Sequence, residues 1–509
     1  MAVKVFSAAL SGFDSQMIEV EVDFTPGLHS FSIVGLPDKT VEESKERISS
    51  AIKNSGAKPP SHHNRRITVN LAPADLKKQG SAYDLPIAVG FLLVSSQISN
   101  INTEDKIFIG ELSLDGRLKP IRGVLPIALL AKKQNKALIL PKENQKEAEI
   151  VEGLRILGIK DLGELFKKIS KIGESYFIGK GLEMVEPLTS VLDDFDFSYI
   201  QGQERVKRAL EIVAAGAHHI FMVGPPGVGK TLLSKALSSI LPPLIKEEIL
   251  EVTKIYSING LLSPENSIIR KRPFRTPHHT ASSAAIIGGG SKIRIGEVTL
   301  AHRGVLFLDE FPEFRRDVLE ALRQPIEEGI VSISRANESF TFPADFILVT
   351  ASNPCPCGFL NEPERNCNCT PSQINRYERK FSGPIMDRID IKIRTPRISF
   401  EKLISEKNNE ESKIIKERVI KAREIQKRRL EEERILTNSK MTFSQIKKYC
   451  KIDLEGKDFL KKAVQRLNLS PRSYHKVLKV ARTITDLEEK ENIEKSHLAE
   501  AISYQELMS

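Results

Sequence analysis

Residues 224–231 read GPPGVGKT, a glycine-rich loop that leads into a helix. The glycines let the backbone turn so tightly that successive N–H groups face one anion, and the helix directs its positive N-terminus toward the same point. We therefore predict a phosphate-binding loop whose lysine reaches the β- and γ-phosphates and whose threonine binds Mg²⁺. The loop residues are Gly224, Pro225, Pro226, Gly227, Val228, Gly229, Lys230 and Thr231.

A second segment further along the chain supports this prediction. The apolar run at residues 305–308 reads as a buried parallel strand, and Asp309 and Glu310 follow it directly. The strand places Asp309 where it supports the metal, and Glu310 is our candidate for the base that activates the attacking water. The two segments together predict that the chain binds and hydrolyses ATP, with Mg²⁺ as the cofactor.

Length and composition limit the class of protein. At 509 residues the chain is too long for one core, and a prior of about 150 residues per domain suggests three domains. We expect a cytoplasmic protein with no membrane partner, because no apolar stretch approaches the roughly 18 residues of a membrane span and no leader pattern is present. The net charge of +10 favours nucleic acid as a partner, although most of these charges describe solvated surface.

The apolar pattern divides the chain into domains. Residues 1–170 alternate strand-like runs with helices, and residues 171–198 read as a linker. Residues 199–398 alternate strands and helices as a parallel sheet does, and residues 399–509 are helical. We expect an α/β protein: an α+β domain, then a P-loop parallel-sheet core, then an all-α lid.

Four cysteines cluster in one short segment, and they are Cys355, Cys357, Cys367 and Cys369. In a reducing compartment such a cluster indicates a thiolate metal site more than a disulfide pair. Four sulfurs suit tetrahedral Zn²⁺. The Cys-x-Cys spacing is tighter than the usual Cys-x-x-Cys, so free thiols in a loop stay the alternative.

Three further polar residues are candidates for catalysis. The apolar run at residues 346–350 predicts a strand that delivers Asn353 near the γ-phosphate, with a simple turn cap as the alternative. Arg388 lies in the sequence GPIMDRID and is our candidate for an arginine that completes the site from outside, an effect on the order of 10³ to 10⁵ in rate. Arg472, at the start of a C-terminal helix, is the candidate for a second γ-phosphate sensor. Ordinary surface ion pairs are the alternative for both arginines.

The chain resembles the ComM/YifB family of magnesium-chelatase-like AAA+ ATPases nearly end to end. The segments that carry the resemblance are residues 202–203, 224–231, 275–280, 287–290, 295–297, 304–310, 353–358 and 387–390. The resemblance implies an ATP-driven ring of identical subunits, expected to be a hexamer, in which Arg388 acts across the subunit interface and Arg472 fills the second sensor position. It also implies a branch-migration helicase that serves DNA recombination and natural transformation.

Two cationic segments are candidates for contact with branched or single-stranded DNA. They are a hairpin predicted over residues 330–342 and a segment at residues 270–290, where similar ring motors carry pore insertions. Cationic loops without base-reading geometry suit binding that ignores sequence. Packing between subunits is an alternative of equal weight. The candidate residues are Arg272, Arg275, His278, His279 and Arg335.

The N-terminal domain resembles the Lon protease domain at residues 110–124. A Lon-type protease needs a serine that a lysine activates, but residues 124–127, where the lysine would fall, read VLPI. Ser81 lies near the nucleophile segment, and we expect it to be structural in a scaffold that does not cleave peptides. Two alternatives to a DNA motor remain: a chelatase-type ATPase that remodels a partner protein, and an ATP-dependent protease.

Overall fold

The computed structural model describes most of the chain, with the side chains at positions 169, 335, 338 and 381 excepted. The described residues are 2–76, 78, 80–98, 101–169, 176–182, 195–290, 294–335, 338–363, 365–381, 383–398, 409–433 and 435–505. Most of the predicted linker, residues 171–175 and 183–194, therefore lies outside the described residues.

The secondary structure alternates strands and helices up to β19 and is helical thereafter. The strands are β1 (Ala2–Ser11), β2 (Asp14–Pro26), β3 (Ser30–Val34), β4 (Arg65–Ala72), β5 (Lys106–Phe108), β6 (Glu111–Leu112), β7 (Leu118–Lys119), β8 (Ala137–Pro141), β9 (Arg155–Ile159), β10 (Phe177–Ile178), β11 (Ile220–Val223), β12 (Phe274–Arg275), β13 (Gly288–Gly289), β14 (Arg294–Ile295), β15 (Val305–Leu308), β16 (Ile330–Arg335), β17 (Glu338–Pro343), β18 (Ile347–Ser352) and β19 (Ile391–Arg394). The helices are α1 (Lys39–Asn54), α2 (Asp84–Val94), α3 (Val124–Lys133), α4 (Gln145–Ala148), α5 (Leu162–Ile169), α6 (Glu204–Gly216), α7 (Lys230–Ile240), α8 (Lys246–Ile258), α9 (Ser283–Ile286), α10 (Glu297–Leu300), α11 (Arg316–Ala321), α12 (Arg323–Glu328), α13 (Pro371–Phe381), α14 (Ser412–Leu430), α15 (Phe443–Tyr449), α16 (Leu454–Leu467), α17 (Pro471–Leu487) and α18 (Lys495–Ser503).

The chain folds into two compact units, each made of three segments. The N-terminal unit comprises Met1–Leu188, Ile245–Ile269 and Ser334–Thr341. The C-terminal unit comprises Thr189–Leu244, Arg270–Ile333 and Phe342–Ser509.

The N-terminal unit is built on an eight-stranded mixed sheet with the strand order β10-β9-β8-β5-β1-β2-β4-β3. In β2, alternate residues such as Val20 and Val22 are buried, as expected of a strand that faces a core on one side. Helices α1 and α2 supply Ile48 and Phe91 to the same core. The strand-like runs expected within residues 1–170 include residues 18–22, 67–71 and 137–141, which lie within β2, β4 and β8.

Helix α8 belongs to the N-terminal unit, although in sequence it follows α7 and precedes β12. It packs on α3, and its Ser257 hydroxyl donates to the buried Glu147 carboxylate at 2.5 Å. The same carboxylate accepts from the Leu125 N–H at 2.8 Å, and burial raises the pKa of Glu147. Near the surface, the Lys254 ammonium lies 2.5 Å from the Asp14 carboxylate. The periodicity of the sequence gives no sign of this packing, because it depends on contacts between distant segments.

The C-terminal unit is built on a five-stranded parallel sheet with the strand order β12-β15-β18-β11-β19. Every residue of β11, β15 and β18 is buried, which explains why these strands read as continuous apolar runs. In register, Leu308 pairs with Thr350, and Val223 pairs with Ser352. The carboxyl ends of the three strands therefore lie together at one edge of the sheet.

The helices after β19 complete this unit. Val419 of α14 and Ile484 of α17 share one apolar core with the sheet and with α6 and α7. Cys450 is buried in the same core. These elements confirm the expected fold class: a parallel-sheet core, a mixed α and β region before it and a helical region after it.

Candidate nucleotide site

Three segments emerge at the carboxyl edge of the parallel sheet. Residue 224 begins the glycine-rich loop after β11, Asp309 follows β15, and Asn353 follows β18. Ligand sites in parallel sheets form at this edge, because the loops that leave the strands meet there. The structure thus brings together the loop, the aspartate and the asparagine that the sequence singles out.

The loop has the backbone that its glycines permit. Gly227 and Gly229 adopt φ values of 81° and 84°, in the left-handed region that other residues rarely occupy. Gly224 is needed for a different reason, since a Cβ there would lie 2.2 Å from the carbonyl oxygen of Thr395. Helix α7 begins at Lys230, directly after the loop.

Lys230 is the buried cation of this edge. Its Nζ donates to the carbonyls of Gly224 at 2.6 Å and Pro225 at 2.9 Å, and to the Asn353 side-chain oxygen at 3.1 Å. Burial lowers the pKa of Lys230, while the Asp309 carboxylate opposes that effect. The ammonium is thus held inside the loop by uncharged oxygens.

Thr231 and Asp309 present the hard oxygen atoms that Mg²⁺ prefers. The Thr231 hydroxyl donates to Oδ2 of Asp309 at 2.9 Å. The other oxygen, Oδ1, accepts from the N–H of Glu310 at 2.9 Å. The residues present therefore fit a magnesium nucleotide: backbone amides and a lysine for phosphate, and a hydroxyl with a carboxylate for the metal.

Glu310 has a left-handed backbone with φ of 51°, and its side chain is 59% exposed. Nδ1 of His279 lies 2.9 Å from its Oε2. The sequence places His279 among the candidate DNA-binding residues and does not predict its position beside Glu310. The strand order gives the reason: β12 pairs with β15, so the segment after β12 lies beside the end of β15.

Arg388 and Arg472 lie together on an acidic residue that no motif predicts. Both guanidinium groups contact Oε1 of Glu327, at 2.7 Å from Arg388 and 2.5 Å from Arg472. The pKa of Glu327 is lowered, chiefly by its hydrogen bond with Arg388. The Nε–H of Arg388 is buried without a hydrogen-bond partner among the described residues. Glu327 lies in α12, a short helix whose sequence carries no sign of this role.

The four clustered cysteines converge. Their Sγ atoms all lie within 4.8 Å of one another, and none forms a disulfide. Cys355 is buried and the other three, Cys357, Cys367 and Cys369, are half-buried. This is the donor set that the sequence suggests for a metal.

The DNA candidates occupy varied positions. Arg272 donates to the carbonyls of Pro242 at 2.6 Å and Arg303 at 2.7 Å. Arg275 lies in β12 and donates twice to the Glu297 carboxylate, at 2.6 and 2.8 Å. Both arginines therefore form hydrogen bonds within the chain. Their role in DNA binding stays a prediction.

The remaining DNA candidates are His278 and Arg335. His278 is exposed, and its ring nitrogen lies 2.8 Å from the Thr280 hydroxyl. The predicted hairpin is confirmed as the β16–β17 pair, and Arg335 ends β16. The Arg335 side chain and the turn at residues 336–337 lie outside the described residues.

In the Lon-like region, the recorded side-chain partner of Ser81 is an acid. The Ser81 hydroxyl donates to the Glu111 carboxylate. Val124 and Leu125, where the lysine would fall, are buried apolar residues at the start of α3. The structural role of Ser81 stays a prediction.

Family profiles match most of the chain. "Magnesium chelatase, subunit ChlI" matches residues 196–403, "Subunit ChlI of Mg-chelatase" matches residues 20–144, and "Magnesium chelatase, subunit ChlI C-terminal" matches residues 409–505. Among the described residues, no helix is both long enough and apolar enough to span a membrane.

Individual relatives are similar over nearly the whole length. Competence protein ComM of Haemophilus influenzae is 40% identical over 518 residues, which covers 99% of this chain and 97% of ComM. Protein YifB of Escherichia coli is 39% identical, covering 98% of this chain and 96% of YifB. Lon protease 2 of Bacillus subtilis is 27% identical over 203 residues, which covers 35% of this chain and 36% of that protease.

Proposed function

Because the chain belongs to the ComM/YifB family of magnesium-chelatase-like AAA+ proteins, we propose that it is an ATPase that drives a ring-shaped motor along DNA. The observation that carries the ATPase proposal is the set of contacts at one sheet edge, where Lys230 contacts Asn353 and Thr231 contacts Asp309. Phosphate-binding and metal-binding groups meet there on the ends of three neighbouring strands.

Each residue of this edge has a proposed role. Lys230 and the loop amides bind the phosphates, and Thr231 and Asp309 hold Mg²⁺, which neutralises phosphate charge when bound. Glu310 activates the attacking water, and Asn353 orients it. Removal of such a base costs on the order of 10² to 10⁴ in rate.

Arg388 and Arg472 are proposed to complete the site of a neighbouring subunit in a homo-oligomeric ring, with six subunits as the expected number. Their common contact with Glu327 supports this proposal, because it places the two guanidinium groups beside each other. Hydrolysis would then depend on assembly.

The proposed substrate is branched or single-stranded DNA, and the proposed activity is branch migration in recombination and natural transformation. Similarity to a competence protein over 97% of its length supports this assignment. Work on DNA would place the protein in the cytoplasm. The convergence of four thiols supports the further proposal that the cysteine cluster holds Zn²⁺.

A second candidate function is the remodelling of a partner protein. It is favoured by the matches to magnesium chelatase profiles at residues 20–144, 196–403 and 409–505. This reading predicts an ATPase that a protein stimulates and that is indifferent to DNA.

A strand-displacement assay on a four-way DNA junction tests the first proposal. We expect ATP-dependent movement of the branch point by the wild type and none by Lys230→Ala, which loses the phosphate contact but keeps the cationic surface elsewhere. ATP hydrolysis that neither binds nor moves the junction at moderate salt would reject the DNA motor and favour the partner-protein reading.

A further inference from the structure

The sulfur atoms of the cysteine cluster already have the spacing of a tetrahedral site. Sγ of Cys355 lies 3.4 Å from that of Cys357 and 3.7 Å from that of Cys367, and the last two are 3.5 Å apart. With Zn–S bonds of about 2.3 Å, tetrahedral geometry separates the sulfurs by about 3.8 Å. The N–H of Cys357 also donates to Sγ of Cys369 at 3.4 Å, which ties the fourth thiol to the group.

Free thiols explain this arrangement poorly. Among the described residues between Gly358 and α13 there is neither helix nor strand. Three of the four thiols are half-buried, so they gain little from apolar packing. A metal ion bound by four thiolates would cross-link this irregular segment and stabilise its ordered form.

The first half of the cluster is built into the nucleotide site. Asn353, which accepts from Lys230, stands two residues before Cys355. The turn that follows is closed by a bond of 3.0 Å from the Gly358 N–H to the Cys355 carbonyl. A Cβ on Gly358 would lie 2.7 Å from Cδ of Pro226, so this turn packs directly on the phosphate-binding loop.

The second half reaches the same strand from the other side. Cys369 is followed closely by α13, whose Tyr377 is buried. The Tyr377 hydroxyl lies 3.2 Å from Oγ of Ser352, the residue before Asn353. Also on α13, the Lys380 ammonium lies 3.1 Å from the Glu313 carboxylate, shortly after Glu310. The chain on one side of the cluster therefore leads directly to Asn353, and the chain on the other side contacts its neighbour Ser352.

We propose that a zinc ion held by Cys355, Cys357, Cys367 and Cys369 fixes Asn353 and the phosphate-binding loop in the arrangement that hydrolysis needs. The four cysteines are positioning residues, which act through Asn353 and Pro226. The inference rests on the proposed ATPase function of that edge and adds control of it by metal. Loss of zinc slows hydrolysis more than it weakens nucleotide binding.

The first experiment measures zinc per chain by elemental mass spectrometry and ATP hydrolysis without DNA. We expect one zinc in the wild type and in the control Cys450→Ala, which removes a thiol far from the cluster in sequence, and none in Cys367→Ala. Zinc removal should lower the hydrolysis rate on the order of 10-fold, as does the loss of groups that orient the residues of a site. The Kd of a fluorescent ATP analogue should change much less.

To separate zinc loss from any effect of Cys367→Ala on folding, the wild type is also treated with a zinc-selective chelator in excess Mg²⁺ and then given zinc again. Recovery of the rate on zinc addition is the expected result. An unchanged rate after complete zinc loss would overturn the inference, and so would a protein that neither contains zinc nor binds it on titration.

Asn353→Ala separates positioning from general structural support. If zinc acts through Asn353, chelation should cause little further loss in this variant. A further loss as large as in the wild type would reject action through Asn353.

Hydrogen exchange at residues 224–231 is the readout that does not need catalysis. We expect zinc removal to speed amide exchange in this loop, and unchanged exchange would count against the inference. If the junction assay fails but the ATPase depends on zinc, the DNA proposal is rejected and this inference stands. If no ATP is hydrolysed, the ATPase proposal is rejected, and loop exchange and zinc content alone judge the inference.

Discussion

The two sets of charged residues proposed for hydrolysis differ in what they contact. At the sheet edge, Lys230 and Asp309 contact Asn353 and Thr231, residues with which they are predicted to act. Arg388 and Arg472, in contrast, contact the carboxylate of Glu327. One half of the site is assembled within the chain, whereas the two cations of the other half share one carboxylate. If Arg388 and Arg472 act on a neighbouring subunit as proposed, they must leave Glu327 to contact the phosphate bound there. Nucleotide binding would then need one subunit, and full hydrolysis would need two.

The arginine half should show the largest effect. Arg388→Ala should lower ATP hydrolysis on the order of 10³-fold or more while leaving the Kd for ATP nearly unchanged, because the arginine meets charge that develops in the transition state. Steady-state hydrolysis and equilibrium binding measure the two quantities. The control Arg316→Ala removes a guanidinium that is 92% exposed and should change neither. A loss of ATP affinity as large as the loss of rate would place Arg388 in the binding half instead.

The assembled half is tested by Glu310→Gln. We expect ATP binding to persist and hydrolysis to fall on the order of 10²- to 10⁴-fold, since the amide cannot accept the proton of the attacking water. Single-turnover hydrolysis measures this step directly. Glu320→Gln, an exposed acid paired with Arg316, serves as the control. Normal turnover by Glu310→Gln would refute its role as the base.

Glu327→Gln tests whether the Glu327 carboxylate competes with a neighbouring subunit's phosphate for Arg388 and Arg472. An ion pair with access to solvent is worth about 0.2–1 kcal/mol, so its removal should lower the protein concentration for half-maximal ATPase by about 1.4- to 5-fold. The pKa of Glu327 is lowered by its arginine partners, so the pair is intact above the ordinary carboxyl pKa and is lost as pH falls through the lowered value. The effect should therefore be constant between about pH 6 and pH 8.

The matched control is Glu328→Gln, which alters the next residue of α12, where the carboxylate accepts from Gln324 at 2.9 Å. A fall in maximal ATPase on the order of tenfold in Glu327→Gln would mean that Glu327 orients the arginines for catalysis and does not compete with phosphate.

The smallest effect is expected from His279→Ala. The imidazole occupies one oxygen of Glu310, so its removal should raise basal hydrolysis by about 2- to 3-fold, in line with a weak exposed contact. Thr280→Ala is the control, since the exposed Thr280 hydroxyl contacts His278. Equal rates for the two variants would show that the contact with Glu310 has no bearing on hydrolysis.

The sequence predicted the assembled half because local rules determine it. Glycine spacing defines the loop, and apolar runs that end in a polar residue place Asp309 and Asn353 at the ends of parallel strands. Glu327 was not predicted, because its role arises from two arginines far away in sequence. The position of His279 was missed for a similar reason: it follows from the pairing of β12 with β15, and strand order cannot be read from periodicity.

The cysteine cluster is an intermediate case. The spacing of its residues predicted that four thiols would gather, which the structure bears out. It gave no sign that Gly358 would pack on Pro226, since that contact depends on how the turn lies over the loop.

Helix α8 has a consequence for how this protein can be divided. The chain passes between the two units five times. Helix α8 lies in the segment Ile245–Ile269, which returns to the N-terminal unit. Deletion of residues 1–188 would remove Glu147 and α3, and would leave Ser257 and the apolar side of α8 facing water. We expect such a truncation to aggregate, and we expect swaps of this region between relatives to succeed only when α8 is exchanged too. The N-terminal unit therefore cannot be removed by deleting one continuous stretch of sequence.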